Sequence, residues 1–148
     1  MNDLRPLIRL HRWRLDEKQR VLAALHAQEE RLLGEAEALE AEIKAEQKTV
    51  RDSFEVSFGY AGYAQAAIGR RERLARAIAD IRQQLAAATE DLAEQFQEVK
   101  RYELAQEERE RQEKERLRHK ENEMLDETAV VGFRRRKQED EGQDTEDR

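Results

Sequence analysis

The residues whose types could do chemistry are three histidines (His11, His26 and His119), 34 acidic side chains and a Gly59-x-x-Gly62 pair. An imidazole that holds a metal needs a second ligand at matching spacing. None of the three has one, so each reads as an exposed helix residue. With no cysteine, disulfide scaffolds and Cys-based zinc sites are excluded. Gly59-x-x-Gly62 has no following Lys-Ser/Thr and no preceding strand, so it is no phosphate loop. Carboxylates are abundant, but acid–base catalysis requires a water-excluding pocket that shifts a pKa, and a pair of helices supplies none. The chain reads as no enzyme, with no catalytic residue, no metal and no cofactor.

The elements that must position these side chains are helices. Of 148 residues, 42% are charged, 38% hydrophobic and only 5% aromatic, with one proline. That is too lean for a rounded core, and the Ala, Leu, Glu, Arg and Gln that dominate are the composition of long helices or a coiled coil. No apolar run is long enough for a membrane span or a signal-peptide core. A net charge of −6 argues against nucleic acid as a partner.

Apolar residues recur at heptad spacing in two arms. In the first, position a takes Ile8, Leu15, Leu22, Glu29, Ala36, Ile43 and Val50, and position d takes Leu4, His11, Lys18, Leu25, Leu32, Leu39 and Glu46. In the second, a takes Arg71, Ile78, Leu85, Leu92, Val99 and Gln106, and d takes Leu74, Ile81, Ala88, Gln95, Tyr102 and Arg109. Two glycines and a lapse in charge at Phe58-Gly59-Tyr60-Ala61-Gly62-Tyr63 mark the turn. The expected fold is all-α: an antiparallel coiled-coil hairpin over 1–137, with helix 1 about 4–57, a turn about 58–63 and helix 2 about 64–127. A disordered polar tail is expected at 138–148.

Antiparallel pairing requires facing residue numbers to share one sum. A sum of 124 pairs Leu22 with Tyr102, Leu25 with Val99, Glu29 with Gln95, Leu32 with Leu92, Leu39 with Leu85, Ile43 with Ile81 and Val50 with Leu74, centred on Gly62. A sum of 117 faces Leu22 with Gln95 and Glu29 with Ala88, burying a charge without a partner. The first register is therefore expected.

Two surfaces stand out. Leu4, Leu7, Ile8, Leu10, Trp13 and Leu15 form an apolar group richer than one seam requires. Either Leu104, Leu117, Met124 and Leu125 cover part of it, or it is an exposed apolar and basic end that inserts into a partner. Phe54, Val56, Phe58, Tyr60 and Tyr63 gather at the turn, either capping the hairpin or contacting a partner. The stretch 103–123 reads as a solvated charged helix, and Arg134, Arg135, Arg136 and Lys137 read as a solvated tail or a site for an acidic partner.

Three stretches resemble the FliJ family of the bacterial flagellar type III export apparatus. They are Leu7-Ile8-Arg9-Leu10-His11-Arg12-Trp13-Arg14-Leu15-Asp16-Glu17-Lys18-Gln19-Arg20; Phe58-Gly59-Tyr60-Ala61-Gly62-Tyr63-Ala64 with Leu74 and the heptads to Val99; and Leu125-Asp126-Glu127 with Phe133-Arg134. The likeness spans about 4–136. It implies a coiled coil similar to the γ stalk of rotary ATP synthases, seated in the central hole of the hexameric export ATPase, which it helps to assemble. It further implies contact with the membrane export gate and with chaperones of exported subunits. Such a protein is cytoplasmic and peripherally associated with the inner-membrane apparatus, without inserting into the membrane. Leu7, Leu10, Trp13 and Arg14, with the end of helix 2, would face the ATPase. Tyr60, Tyr63, Leu74 and Ala77 would lie toward the gate or chaperones. The competing readings are a client-holding coiled-coil chaperone, the equivalent stalk of a virulence type III secretion system, and a plain dimeric scaffold.

Overall fold

The computed structural model describes residues 3–52 and 59–146, and all of it apart from short flanks is helix: α1 (Arg5–Asp52) and α2 (Tyr60–Glu146). No strand occurs among the described residues. Strong helix formers carry both elements, and Pro6 sits in the first turn of α1, where its missing N–H breaks no intrahelical bond. The chain divides into two compact units, Pro6–Lys100 and Met1–Arg5 with Arg101–Arg148.

The Pro6–Lys100 unit is an antiparallel hairpin. Its seam follows the heptad frame expected from the sequence: Ile8, His11, Leu39, Ala67, Ile81, Leu85, Gln95 and Val99 are buried. Leu15, Leu22, Leu25, Leu32, Ile43 and Val50 of α1, with Leu74, Ile78 and Leu92 of α2, are half-buried. Arg71, assigned to an a position, is instead exposed, its guanidinium bonded to Glu40 (Nε to Oε1, 2.6 Å).

The turn and the register differ from expectation. Helix α1 ends at Asp52 and α2 begins at Tyr60, so Gly62 lies inside a helix with no positive φ, and residues 60–63 of the expected turn are helical. Polar pairs across the helices fix the register: Lys18 with Asp91, Glu29 with Arg82, Glu40 with Arg71 and Glu42 with Arg70. Their numbers add to between 109 and 112, two heptads short of 124. The frame survives because a slide by whole heptads leaves the same stripes facing. The apolar start of α1 explains the choice. At a sum of 124 its first two heptads would meet Arg109 and Arg116, whereas here they join the seam, with Ile8 at 6% and His11 at 5% exposure. Each added apolar side chain taken from water contributes about 1.5–3 kcal/mol. Glu29 loses its expected amide partner but gains Arg82 (3.3 Å) and keeps 21% of its side chain exposed, which avoids burying a lone charge. His11 is thus a seam residue and not an exposed one, while His26 and His119 are exposed.

In the second unit the Leu4 N–H donates to Gln106 Oε1 at 3.0 Å, and Arg5 stands 3.8 Å from Glu110. Tyr102 is half-buried and Arg109, assigned to a d position, is exposed. From residue 107 to 146 every side chain is exposed except Gly132, which is intermediate. That stretch is supported along the helix instead, by Arg111 on Glu108 and by Arg116 on Glu113 (Nη2 to Oε1, 2.7 Å). Helix continues through 138–146, where the sequence suggests a tail without regular structure. Arg134, Arg135, Arg136, Lys137, Gln138 and Glu139 are good helix formers, which favours helix locally.

Candidate partner-binding surfaces

Seam geometry decides which side chains remain for other work. Inside the Pro6–Lys100 hairpin, Gln95 Nε2 lies 3.0 Å from His11 Nδ1 and donates to the His11 carbonyl at 3.2 Å. Glu98 Oε2 is 3.6 Å from the same ring nitrogen. This buried polar cluster is fully engaged, so it specifies alignment and offers no ligand position. No group of His, Cys, Asp and Glu that could hold a metal exists among the described residues.

The first surface is the outer side of α1. With Ile8 at a and His11 at d, positions c and f fall on Leu10 and Trp13, away from α2. Leu10 is 43% and Trp13 59% exposed, Arg14 beside them is exposed, and Leu7 is half-buried. Val21, also exposed, extends the strip by two turns. The apolar group at the chain start therefore splits in two: Ile8, Leu7 and Leu15 serve the seam, and Leu10 and Trp13 do not. Leu104, Leu117, Met124 and Leu125 are between 47% and 67% exposed.

The second surface is near the start of α2. The rings of Tyr60 and Tyr63 lie 6.3 Å apart at 36°. Tyr63's hydroxyl is buried, with the Glu42 carboxylate beside it. Loss of water, reinforced by the nearby Glu42 and Glu46 carboxylates, raises its pKa above the usual phenol value. Leu74 and Ala77 form, with Leu39 and Ala38, the floor of an open groove rimmed by Glu35, Glu42, Arg70 and Arg73. Glu42 links the two places: it accepts from Arg70 (3.2 Å) and sits beside Tyr63. Phe54, Val56 and Phe58 fall outside the described residues.

Sequence reading passed over two further features. Phe96 is half exposed with the Lys100 ammonium 5.4 Å from its ring centroid; its e position beside the seam was the available signal. Val130, Val131 and Phe133, each at least 50% exposed, adjoin the cations Arg134, Arg135, Arg136 and Lys137.

A helical hairpin with a closed seam, exposed aromatic and aliphatic side chains and an open groove defines a coiled-coil protein. A family model described as FliJ, flagellar FliJ protein, matches residues 1–138, and the chain belongs to this family, a component of the flagellar export apparatus. No curated protein and no solved structure matches the chain. No described helix is long and apolar enough to cross a membrane.

Proposed function

We propose that the chain is a non-enzymatic stalk and adaptor of flagellar protein export. It inserts into the hexameric export ATPase and links that enzyme to the membrane export gate and to the chaperones of exported subunits. It works in the cytoplasm, held peripherally at the inner-membrane apparatus. The observation that supports this reading most is the outer side of α1. Trp13 and Leu10 hold apolar surface in water outside the seam with Arg14 beside them, and Trp and Arg are the side chains that most often anchor interfaces. The groove over Leu74 and Ala77, with Tyr63 close to its Glu42 rim and Tyr60 beside Tyr63, supports a second contact toward the gate or the chaperones.

The test is co-purification with the hexameric ATPase of the same export system. Trp13→Ala or Leu10→Asp should weaken capture at least tenfold while far-ultraviolet circular dichroism and the melting temperature stay within error. Unchanged capture by both variants would remove the ATPase from the reading. Suppression of aggregation of unrelated unfolded chains with no ATPase present would favour a client-holding chaperone instead. Docking of the same face on a virulence-type secretion ATPase in preference to the flagellar one would move the stalk to that system.

A further inference from the structure

The far part of α2 has no packed face, because its side chains from 107 to 146 are exposed apart from Gly132. Packing supplies most of the stability of helices in folded proteins, so a long bare helix invites a partner. The charges along it are ordered in blocks. Counting Lys and Arg against Asp and Glu, residues 114–120 carry four basic groups and one acidic, and 121–127 carry four acidic and no basic. Residues 128–132 carry no charge, 133–139 four basic and one acidic, and 140–146 four acidic and no basic. Turned end for end about residue 130, each block falls on one of opposite sign, and the uncharged block falls on itself.

A heptad stripe crosses the same stretch, with Leu117, Met124, Val131 and Gln138 at d and Glu121, Thr128, Arg135 and Gly142 at a. Leu117, Met124 and Val131 are exposed, and an open hollow bounded by Glu127, Thr128, Val131, Gly132 and Arg135 lies at its centre. Laid antiparallel on a copy of itself, with facing numbers that add to 259, the stripe sets every a on a d. Thr128 then faces Val131, Met124 the aliphatic stem of Arg135, and Glu121 the amide of Gln138. The positions flanking the stripe pair by opposite charge: Glu127 with Arg134, Lys120 with Glu141 and Arg118 with Glu139, each twice about the twofold axis. Leu125 lies over the partner's Gly132. Within one chain these six charged side chains take part in no ion pair among the described residues, so their charges are available.

We propose that residues 114–146 of α2 bind the same residues of a second copy of this chain as an antiparallel two-stranded coil. Leu117, Met124, Leu125 and Val131 are little apolar surface for a permanent dimer, so ion pairs set the orientation and salt loosens the contact. The family match ends at residue 138, and Glu139, Glu141 and Gly142 lie past it, so this self-complementarity is a property of the present chain. It concerns the free chain and stands whichever partners the outer side of α1 takes.

The test is sedimentation of the full chain over a concentration series from about 5 to about 500 µM, where mass action governs association. At low salt the average mass should climb from one chain toward two, and about 0.5 M salt should weaken the association about tenfold. Glu127→Arg sets like charges together at two places and should weaken it about tenfold, as should Arg134→Glu. An equal mixture of the two variants should regain association, since each supplies the charge the other lacks; circular dichroism at 222 nm checks that both stay helical. Because the chain has no cysteine, nitroxides on single introduced thiols report the orientation by double electron–electron resonance. A label at exposed Asp140 should lie about 35 Å from its counterpart, because the two sites are about 21 residues apart along the axis. A label at Ala129, beside the twofold, should lie within about 20 Å of its counterpart. A single-chain mass at every concentration overturns the proposal. So does association that ignores both charge variants, or a short distance at both labelled sites, which is a parallel pair.

Discussion

Replacing Gly62 by alanine separates two descriptions of this chain. In a turn with positive φ, a Cβ is strained and the substitution destabilises. Inside α2, Gly62 has no positive φ, and a Cβ built on it meets no atom within 4 Å. The helix-propensity difference then acts unopposed, up to about 1 kcal/mol for an interior position. Gly62 is the third residue of α2, where the backbone is less constrained, so about 0.5 kcal/mol of stabilisation is expected. Gly34 provides the calibration: it lies mid-helix in α1 with open space around its Cβ, so Gly34→Ala should contribute nearly the full 1 kcal/mol. For a unit of this size, thermal melts followed at 222 nm should rise by about 4–8 °C for Gly34→Ala and about 2–4 °C for Gly62→Ala. A melting temperature lowered by Gly62→Ala, with Gly34→Ala raising it, would refute the placement of Gly62 inside α2.

Other outcomes follow from the same geometry. Leu39→Ala, at a side chain 2% exposed, should cost about 2–4 kcal/mol in urea unfolding, whereas Leu10→Ala should stay within about 0.5 kcal/mol. Gln95→Leu should destabilise by about 1–3 kcal/mol because it removes the buried amide that meets the His11 ring and donates to the His11 carbonyl, a loss read by urea unfolding. Tyr63's raised pKa means the folded hairpin holds its phenol proton more tightly than the unfolded chain does. Its contribution is complete below the ordinary phenol pKa and disappears as pH climbs through the raised one. Absorbance titration at 295 nm should therefore show one late tyrosine, absent in Tyr63→Phe. At the acid end Glu108 and Glu113 have lowered pKa values, caused first by hydrogen bonds from Arg111 and Arg116. Their support of α2 is present above the unfolded carboxylate pKa and lost as pH falls through the lowered values, so helicity should drop there. Arg111→Gln with Arg116→Gln should flatten that drop.

Much of the fold was legible because heptad spacing is a local property. Leu22, Leu25, Leu32 and Leu39 are spaced at three and seven residues, and any helix with that spacing presents one stripe whatever its partner. The same regularity hides the register, since stripes offset by seven residues face each other equally well. A matched polar layer, Glu29 with Gln95, was the available criterion, and it pointed to the wrong alignment because it left Ile8 and Leu15 opposite arginines. Likewise the surplus of apolar residues at the start of α1 was visible, but its division into seam and outer face depended on how far α1 pairs.

The sequence by itself determined that this chain makes two amphipathic helices doubled back on each other, and that Trp13 and Leu10 fall outside the a/d stripes. Spacing sets both, and spacing needs no knowledge of distant contacts. Tertiary structure alone decided that α2 already includes Gly62, that His11 is buried against Gln95, and that Arg82 rather than Gln95 answers Glu29. Those outcomes depend on the total of all layers across the hairpin, a sum over residues far apart in the chain, which no local pattern can evaluate.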